Sequence, residues 1–220
     1  MTRPRLLDLF CGAGGCSVGY TRAGFDVVGV DSAPQPHYPY KFIQADALAY
    51  LDTADLTRFA AIHASPPCQH YTMMLNHGMA SRTAHPDLVG ATRDRLATTG
   101  KPYIIENVIG APVQGIRLCG GMFGLRMYRH RLFESNTLLF APYHPAHIYK
   151  AAHAGIVPQL HEFWSICGHF ANRDGARAAM GVEWMQTKYE IAQAIPPAYT
   201  DYLGAQLLYA LRTTESGGAA

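Results

Sequence analysis

The feature that most constrains the fold is a glycine-rich turn directly after a short apolar run. The run, Leu6–Phe10, is apolar apart from Asp8 and predicts a buried strand. Val18–Ala23 predicts the start of a helix. Glycines let the backbone turn sharply and approach a ligand closely, and here they stand at Gly12, Gly14, Gly15 and Gly19. A strand, a glycine turn and a helix form the opening of a βαβ unit.

The first half of the chain continues this alternation of strands and helices. Further strands are expected at Asp26–Val30, Phe42–Gln44, Ala60–Ala64 and Tyr103–Ile105, with edge strands or a hairpin at Arg117–Cys119 and Arg131–Glu134. Leu88–Thr98 and Thr200–Arg212 predict helices. The pattern indicates an α/β fold with a mostly parallel, Rossmann-like sheet. We expect the main domain over residues 1–135, a small insertion over 136–182, and a helix that returns to the main domain, with a frayed tail, over 183–220.

An acidic residue stands where a nucleotide bound by such a turn needs one. Asp31 follows the second predicted strand, nineteen residues after Gly12, where a carboxylate can bind both hydroxyls of a ribose. The glycines depart from the strict G-x-G-x-x-G spacing, so a nucleotide-like ligand with a carboxylate in place of a pyrophosphate suits them. S-adenosylmethionine is such a ligand, and Asp46 could accept from its adenine amino group. A tight turn without a ligand is the alternative.

A cysteine follows the fourth predicted strand after a double proline. Pro66 and Pro67 fix the backbone and so aim Cys68 from the carboxyl edge of the sheet, where ligands and catalytic groups collect in parallel sheets. Glu106 and Asn107 directly follow the fifth predicted strand, on the same edge. A single cysteine is more often buried and inert than nucleophilic, so its position is what favours catalysis.

Four short motifs occur in order along the chain. They are Leu9-Phe10-Cys11-Gly12-Ala13-Gly14-Gly15, Pro67-Cys68-Gln69, Glu106-Asn107-Val108 and Arg129-His130-Arg131. In this order they resemble the cofactor, nucleophile, base-protonating and paired-arginine motifs of the DNA cytosine-C5 methyltransferases. The resemblance covers about residues 5–134 and, more loosely, the terminal helix. The ending, with Ile195-Pro196-Pro197-Ala198-Tyr199-Thr200, is similar to compact phage or prophage members.

The resemblance implies a role for each motif. Cys68 would add to C6 of cytosine as a thiolate, and Glu106 would hydrogen-bond N3. Asn107 would help to fix Glu106 or the backbone. Arg129 and Arg131 would hold the base O2 and adjacent phosphate or loop carbonyls. The implied cofactor is S-adenosyl-L-methionine, bound by Phe10, Gly12, Gly14, Gly15, Asp31, Asp46 and Pro67. Substrate contacts would come from Gln69, Ser81 and Arg82, the last two in a loop, Tyr71–Pro86, that closes over a cytosine flipped out of double-stranded DNA.

The chain departs from the family pattern in three places. Met127 stands where the family usually has a glutamine, and Leu203-Gly204-Ala205 replaces the usual Gly-Asn-x-Val motif. The insertion is too short for a full recognition domain. It does contain side chains suited to base stacking and phosphate contacts, namely Tyr149, Lys150, His153, Trp164 and Arg173. We therefore predict a minimal target-recognition segment with short or relaxed sequence specificity. The alternative is a solvated loop with core aromatics.

Composition narrows the remaining classes. With 49% hydrophobic and 15% charged residues in 220, the chain is not of the disordered class. Its net charge of +2 is weak for a DNA-binding protein, although Arg117, Arg126, Arg129 and Arg131 could form a local basic face. Five scattered cysteines without a C-x-x-C argue against a disulfide framework and a structural zinc site; Cys167 and His169 would be only half of one.

No signal peptide or membrane span is expected, so we predict a soluble protein of a reducing compartment. The resemblance to phage-type members implies the cytoplasm of a bacterial or phage-infected cell, and we expect a monomer. Two alternatives stay open. The same chemistry could act on RNA or a free cytosine nucleotide, or the chain could be a non-catalytic protein that binds DNA or the cofactor.

Overall fold

The computed structural model describes residues 2–71 and 86–217, with side chains to residue 213. A seven-stranded sheet forms its centre, in the order β3-β2-β1-β4-β5-β7-β6. The strands are β1 (Arg5–Leu9), β2 (Asp26–Asp31), β3 (Lys41–Gln44), β4 (Ala61–Ala64), β5 (Tyr103–Asn107), β6 (Ile116–Leu118) and β7 (Arg131–Ser135). The α/β class and the Rossmann-like sheet predicted from the sequence are confirmed.

Strand direction divides this sheet into two parts. The strands β1 to β5 pair in parallel, whereas β7 runs antiparallel to both β5 and β6. The β6–β7 pair is therefore a hairpin-like edge, one of the two arrangements predicted for it. Strand order reverses between β1 and β4, and such a switch point opens a crevice at the carboxyl ends of the strands.

Helices cover both faces of the sheet. They are α1 (Gly15–Ala23), α2 (Ala47–Thr53), α3 (Val89–Thr98), α4 (Arg173–Met180), α5 (Lys188–Gln193) and α6 (Pro197–Gly217). Apolar side chains of α2 and α3 pack on one face, and those of α1 and α6 pack on the other. The buried strands are mainly apolar because both faces are covered, with exceptions that include Asp8 in β1 and His63 in β4.

The observed boundaries correct the sequence prediction in several places. Phe10 has φ of 57°, which ends β1 at Leu9. The last helix starts at Pro197 rather than Thr200, because proline is well suited to a first helical position. The helices α2, α4 and α5 were not predicted. They are short, and capping by Asp46, Asn172 and Thr187 helps to define them.

The insertion has little regular structure of its own. Its strands β8 (Lys150–Ala151) and β9 (Glu162–Phe163) pair in parallel, and the rest before α4 is mostly irregular. A third apolar cluster joins it to the main domain, with Ile166 and Phe170 packed among Ala13, Met127 and residues of α4 and α5. In the described part of the chain, no helix has both the length and the apolar character needed to cross a bilayer.

Candidate functional site

A cavity of about 320 Å³ opens at the carboxyl ends of β1, β2, β4 and β5. Of the cofactor residues predicted from the sequence, five line it, and these are Phe10, Gly12, Gly15, Asp31 and Pro67. Gly14 and Asp46 are not among its lining residues. Asp46 is exposed and accepts a hydrogen bond from the Ala49 amide at 2.8 Å, so its visible role is to cap α2.

The glycine turn is held to β2 by the predicted acidic residue. Gly12 has φ of 49°, a conformation that favours glycine, and its amide donates to Asp31 Oδ2 at 3.0 Å. The Trp184 indole donates to the Ala13 carbonyl at 2.8 Å from the far end of the chain. The turn is therefore fixed on two sides before any ligand binds.

Close packing accounts for part of the glycine pattern. A Cβ on Gly15 would lie 2.4 Å from the Ile195 carbonyl oxygen, and one on Gly19 would lie 2.0 Å from Thr200 Oγ1. A Cβ on Gly14, which has φ of 88°, would press on the Tyr38 ring at 3.0 Å. The absence of a side chain at Gly19 therefore lets α1 pack closely against the start of α6. Gly15 lets α1 pack against Ile195, and it also lines the cavity.

The predicted nucleophile lies on a braced loop after β4. The Ser65 amide donates to the Leu9 carbonyl at 3.1 Å, which continues the β1–β4 pairing. The Asn107 side chain donates to the Pro66 carbonyl at 2.9 Å and accepts from the Val108 amide at 2.9 Å. Cys68 is half-buried at the cavity wall. Asn107 therefore ties the cysteine loop to the end of β5.

A buried ion pair stands beside the cysteine. Arg131 Nε lies 3.0 Å from Glu106 Oε1, and their side chains are only 15% and 6% exposed. Burial raises the pKa of Glu106 above its usual value, and Arg131 opposes that rise. Burial first, and then Glu106, raise the pKa of the Cys68 thiol, while Arg131 and Arg129 lower it. The Glu106 carboxyl, the Cys68 thiol and the two arginines thus affect one another's protonation.

Arg129 braces the insertion. Its guanidinium donates to the Ile166 carbonyl at 2.6 Å and to the Ala192 carbonyl at 2.5 Å, and its own carbonyl accepts from the Tyr199 hydroxyl at 2.6 Å. Burial lowers its pKa to about 9. Its Nε has no hydrogen-bond partner among the described residues. Ile166 lies in an irregular stretch and Ala192 in α5, so Arg129 ties two later segments of the chain together; its contact with the base O2 or a phosphate stays a prediction.

A second cavity, of about 430 Å³, meets the first at the cysteine. Both are lined by Cys68, Val108, Arg131 and Gln193. The second also has Arg129 and, from the insertion, Trp164, Ile166 and Cys167 in its wall. Trp164 is fixed there because its amide donates to the Arg126 carbonyl at 2.7 Å. Two ligands held in these cavities would meet beside one thiol.

The chain has the fold of solved methyltransferases. It is similar to a putative DNA modification methyltransferase encoded within an E. coli prophage, at 14% identity and a TM-score of 0.64, over 96% of this chain and 99% of that one. The S. pombe Dnmt2 methyltransferase matches at 14% and 0.59, over 95% and 99%. The Entamoeba histolytica methyltransferase EhMeth matches at 12% and 0.58, over 96% and 99%. No protein-family model and no curated protein matches the sequence.

Within this methyltransferase fold, a buried network of hydrogen bonds connects Tyr20 and His63 to Glu106. The Tyr20 hydroxyl lies 2.9 Å from His63 Nδ1, and His63 Nε2 lies 2.9 Å from Ser65 Oγ. Ser65 is also hydrogen-bonded to Glu106. Burial lowers the pKa of His63 to about 3, so the ring is neutral near pH 7. Sequence reasoning missed this network, and the only available signal was a histidine, His63, inside the apolar run of β4.

Asp8 is a second site residue that sequence reasoning missed. It lines the first cavity, is fully buried and accepts a hydrogen bond from Ser17. Its Oδ1 has no partner among the described residues, and burial raises its pKa to about 7. An acid inside the apolar run of β1 was the available signal, because buried carboxyl groups are rare unless they are paired.

The predicted substrate residues are only partly visible. Gln69 lines the first cavity. Ser81, Arg82 and the greater part of the predicted closing loop, Tyr71–Pro86, lie outside the described residues.

Proposed function

We propose that the chain transfers a methyl group from S-adenosyl-L-methionine to C5 of cytosine in DNA, with Cys68 as the nucleophile. The observation that carries the proposal is the junction of two cavities at Cys68, next to the buried Glu106–Arg131 pair. A reaction between a cofactor and a base needs two such spaces and one reacting centre. The fold shared with a prophage-encoded DNA modification methyltransferase supports the compact prophage type.

The first cavity fits the cofactor. Asp31 would accept from the ribose hydroxyls, and Asp8 Oδ1, which has no partner among the described residues, would be a buried acceptor for an amino group. Phe10, Gly12, Gly15 and Pro67 would enclose it, while Asp46 and Gly14 would act through α2 and the turn. When bound, the cofactor supplies an electrophilic methyl group on a sulfonium.

The chain's own residues would activate the base. Cytosine C5 is a weak nucleophile, and addition of the Cys68 thiolate at C6 moves electron density onto C5. Glu106, in its neutral form, would donate to N3 as charge builds on the ring, which its raised pKa favours. After the methyl group joins C5, loss of the C5 proton and elimination of Cys68 restore the thiolate and the aromatic ring.

The second cavity would receive a cytosine flipped out of double-stranded DNA. A paired base lies out of reach of Cys68, so flipping is required. Trp164 in the cavity wall offers an aromatic ring, and Arg131 offers planar donors. The insertion would be a minimal reader with a short recognition sequence, and the active form would be a monomer. Sequencing of DNA methylated in vitro tests the length of the recognition sequence, and a six-base consensus would contradict a minimal reader.

A covalent trap tests the nucleophile. The protein is incubated with cofactor and DNA containing 5-fluorocytosine, which blocks the loss of the C5 substituent and should retain the adduct. Cys68→Ser should abolish the adduct. Cys167 also lines the second cavity and is the rival thiol, so Cys167→Ser should retain it. Loss of the adduct only in Cys167→Ser would contradict the assignment.

The substrate class is tested by labelled methyl transfer to DNA, RNA and dCMP in parallel, followed by base analysis. We expect 5-methylcytosine in DNA, with an affinity that falls steeply with salt. Labelling of RNA or dCMP alone would move the same chemistry to that substrate. Cofactor binding without transfer or an adduct would indicate a non-catalytic binding protein.

A further inference from the structure

Four metal-ligating side chains converge beside the edge of the sheet. They are Cys119, His130, His144 and His147, and one ligand atom from each lies within 4.8 Å of all the others. Cys119 Sγ is 3.4 Å from His147 Nε2, and His130 Nε2 is 3.2 Å from His144 Nε2. The cluster contains no carboxylate, so it is not an ordinary set of ion pairs.

Rigid and irregular parts of the chain each supply two of these side chains. Cys119 directly follows β6, and His130 directly precedes β7, so the β6–β7 pairing fixes their separation. His144 and His147 belong to a stretch without helix or strand at the start of the insertion. The Tyr128 ring stacks on His147 with 3.7 Å between centroids, which holds that imidazole towards the others.

We propose that this cluster, which we name the Cys-His₃ cluster, binds a zinc ion. Zinc in structural sites takes four thiolate or imidazole ligands in a tetrahedron. Zn–N bonds of about 2.0–2.1 Å and a Zn–S bond of about 2.3 Å set neighbouring ligand atoms about 3.3–3.6 Å apart. The separation of 3.4 Å lies in that range and the one of 3.2 Å lies just below it. Rotation of the more exposed histidines can contract the wider separations. Harder cations such as Mg²⁺ and Ca²⁺ prefer oxygen ligands, which the cluster lacks.

The four ligands differ in burial, so the ion would lie between the buried sheet edge and the exposed insertion. Cys119 is buried, His130 and His144 are half-buried, and His147 is exposed. With four protein ligands, the ion has no position left for a substrate, so its role is structural. It would fasten the first part of the insertion to the β6–β7 edge. His130 also lies between Arg129 and Arg131, so the ion would hold the segment that carries both arginines.

The proposal revises the expectation of no zinc site. That expectation relied on closely spaced cysteine pairs, and here only His144 and His147 are close in sequence. The other ligands come together through the β6–β7 pairing. The inference is independent of the proposed methyl transfer, because metal content is measured without any activity.

Metal analysis of the purified protein, produced without a histidine tag, is the direct test. After zinc reconstitution and dialysis, we expect a stoichiometric zinc content by mass spectrometry. The double variant His144→Ala/His147→Ala should lose it to background. His161→Ala removes an exposed histidine outside the cluster and should keep it. Zinc far below stoichiometry in the unaltered protein, or equal content in both variants, would overturn the proposal.

Cobalt substitution keeps the test valid if a variant folds poorly. The unaltered protein loaded with Co²⁺ should show a thiolate-to-cobalt charge-transfer band and the visible bands of a tetrahedral ion. The charge-transfer band should disappear in Cys119→Ser and persist in Cys167→Ser. A cobalt spectrum without a thiolate band, or with octahedral bands, would exclude the Cys-His₃ cluster as the site.

Discussion

The Glu106–Arg131 pair allows a sharp test, because the molecule contains an exposed pair of the same length. Arg131 Nε and Glu106 Oε1 are 3.0 Å apart with 15% and 6% side-chain exposure. Arg95 Nε and Asp52 Oδ1 are also 3.0 Å apart, but with 38% and 51% exposure. Replacing either arginine with methionine removes the charge and keeps a long side chain. The two variants therefore differ mainly in the burial of the acid left behind.

Burial sets the expected magnitudes. Arg131→Met leaves a carboxylate buried without its closest cation, and breaking a buried pair in this way costs about 3–5 kcal/mol of unfolding free energy. Arg95→Met leaves an exposed carboxylate in water, and such pairs contribute only about 0–1 kcal/mol. The assay is urea unfolding with linear extrapolation to water, at about pH 8 and at about pH 5.

The pH dependence separates charge from packing. The pKa of Glu106 is raised in the folded state, so its contribution to stability is present below the usual glutamate pKa and is lost as pH rises through the folded value. Removal of Arg131 raises that pKa further. The cost of Arg131→Met should therefore be largest at the higher pH and shrink as Glu106 takes up a proton.

A double variant closes the argument. Arg131→Met/Glu106→Gln removes both charges and should be more stable at the higher pH than Arg131→Met alone. Equal costs for Arg131→Met and Arg95→Met, or a cost for Arg131→Met that does not change with pH, would refute the electrostatic account of this site.

Three further predictions concern single groups. Burial raises the pKa of Asp8 to about 7, so its stabilising contribution is lost as pH rises towards that value. Asp8→Asn should raise the unfolding free energy at about pH 8 by up to about 4 kcal/mol, as measured by urea unfolding. Gly19→Ala should lower the free energy of unfolding, followed by thermal denaturation, by about 1–3 kcal/mol because the added Cβ would lie 2.0 Å from Thr200 Oγ1. The control Gly90→Ala in α3, where the added Cβ meets open space, should raise that free energy by about 0.4–1 kcal/mol. Glu106→Gln should speed alkylation of Cys68 near neutral pH, followed by peptide mass spectrometry, because the carboxylate raises the pKa of that thiol; an unchanged rate would contradict the coupling.

Local pattern was enough to predict much of the site. The strands β1, β2, β4 and β5 each contain a short apolar run, and in a parallel sheet the residues after such runs meet at one edge. Asp31, Cys68 and Glu106 could therefore be brought together from their positions after three strands, and the structure places all of them at the first cavity. The short capped helices α4 and α5 were missed because they depend on packing against the insertion more than on a long apolar period.

The sequence by itself determined the alternation of elements, the glycine turn and the acids and thiol that end the strands, because these depend on neighbouring residues. The tertiary structure decided which of those residues are buried together. It placed Ile195 against Gly15, gave Arg129 the carbonyls of Ile166 and Ala192, and gathered the Cys-His₃ cluster from two strand ends and an irregular segment. Such contacts join residues far apart in the chain, and no local period or propensity encodes them; chain folding alone brings them within bonding distance.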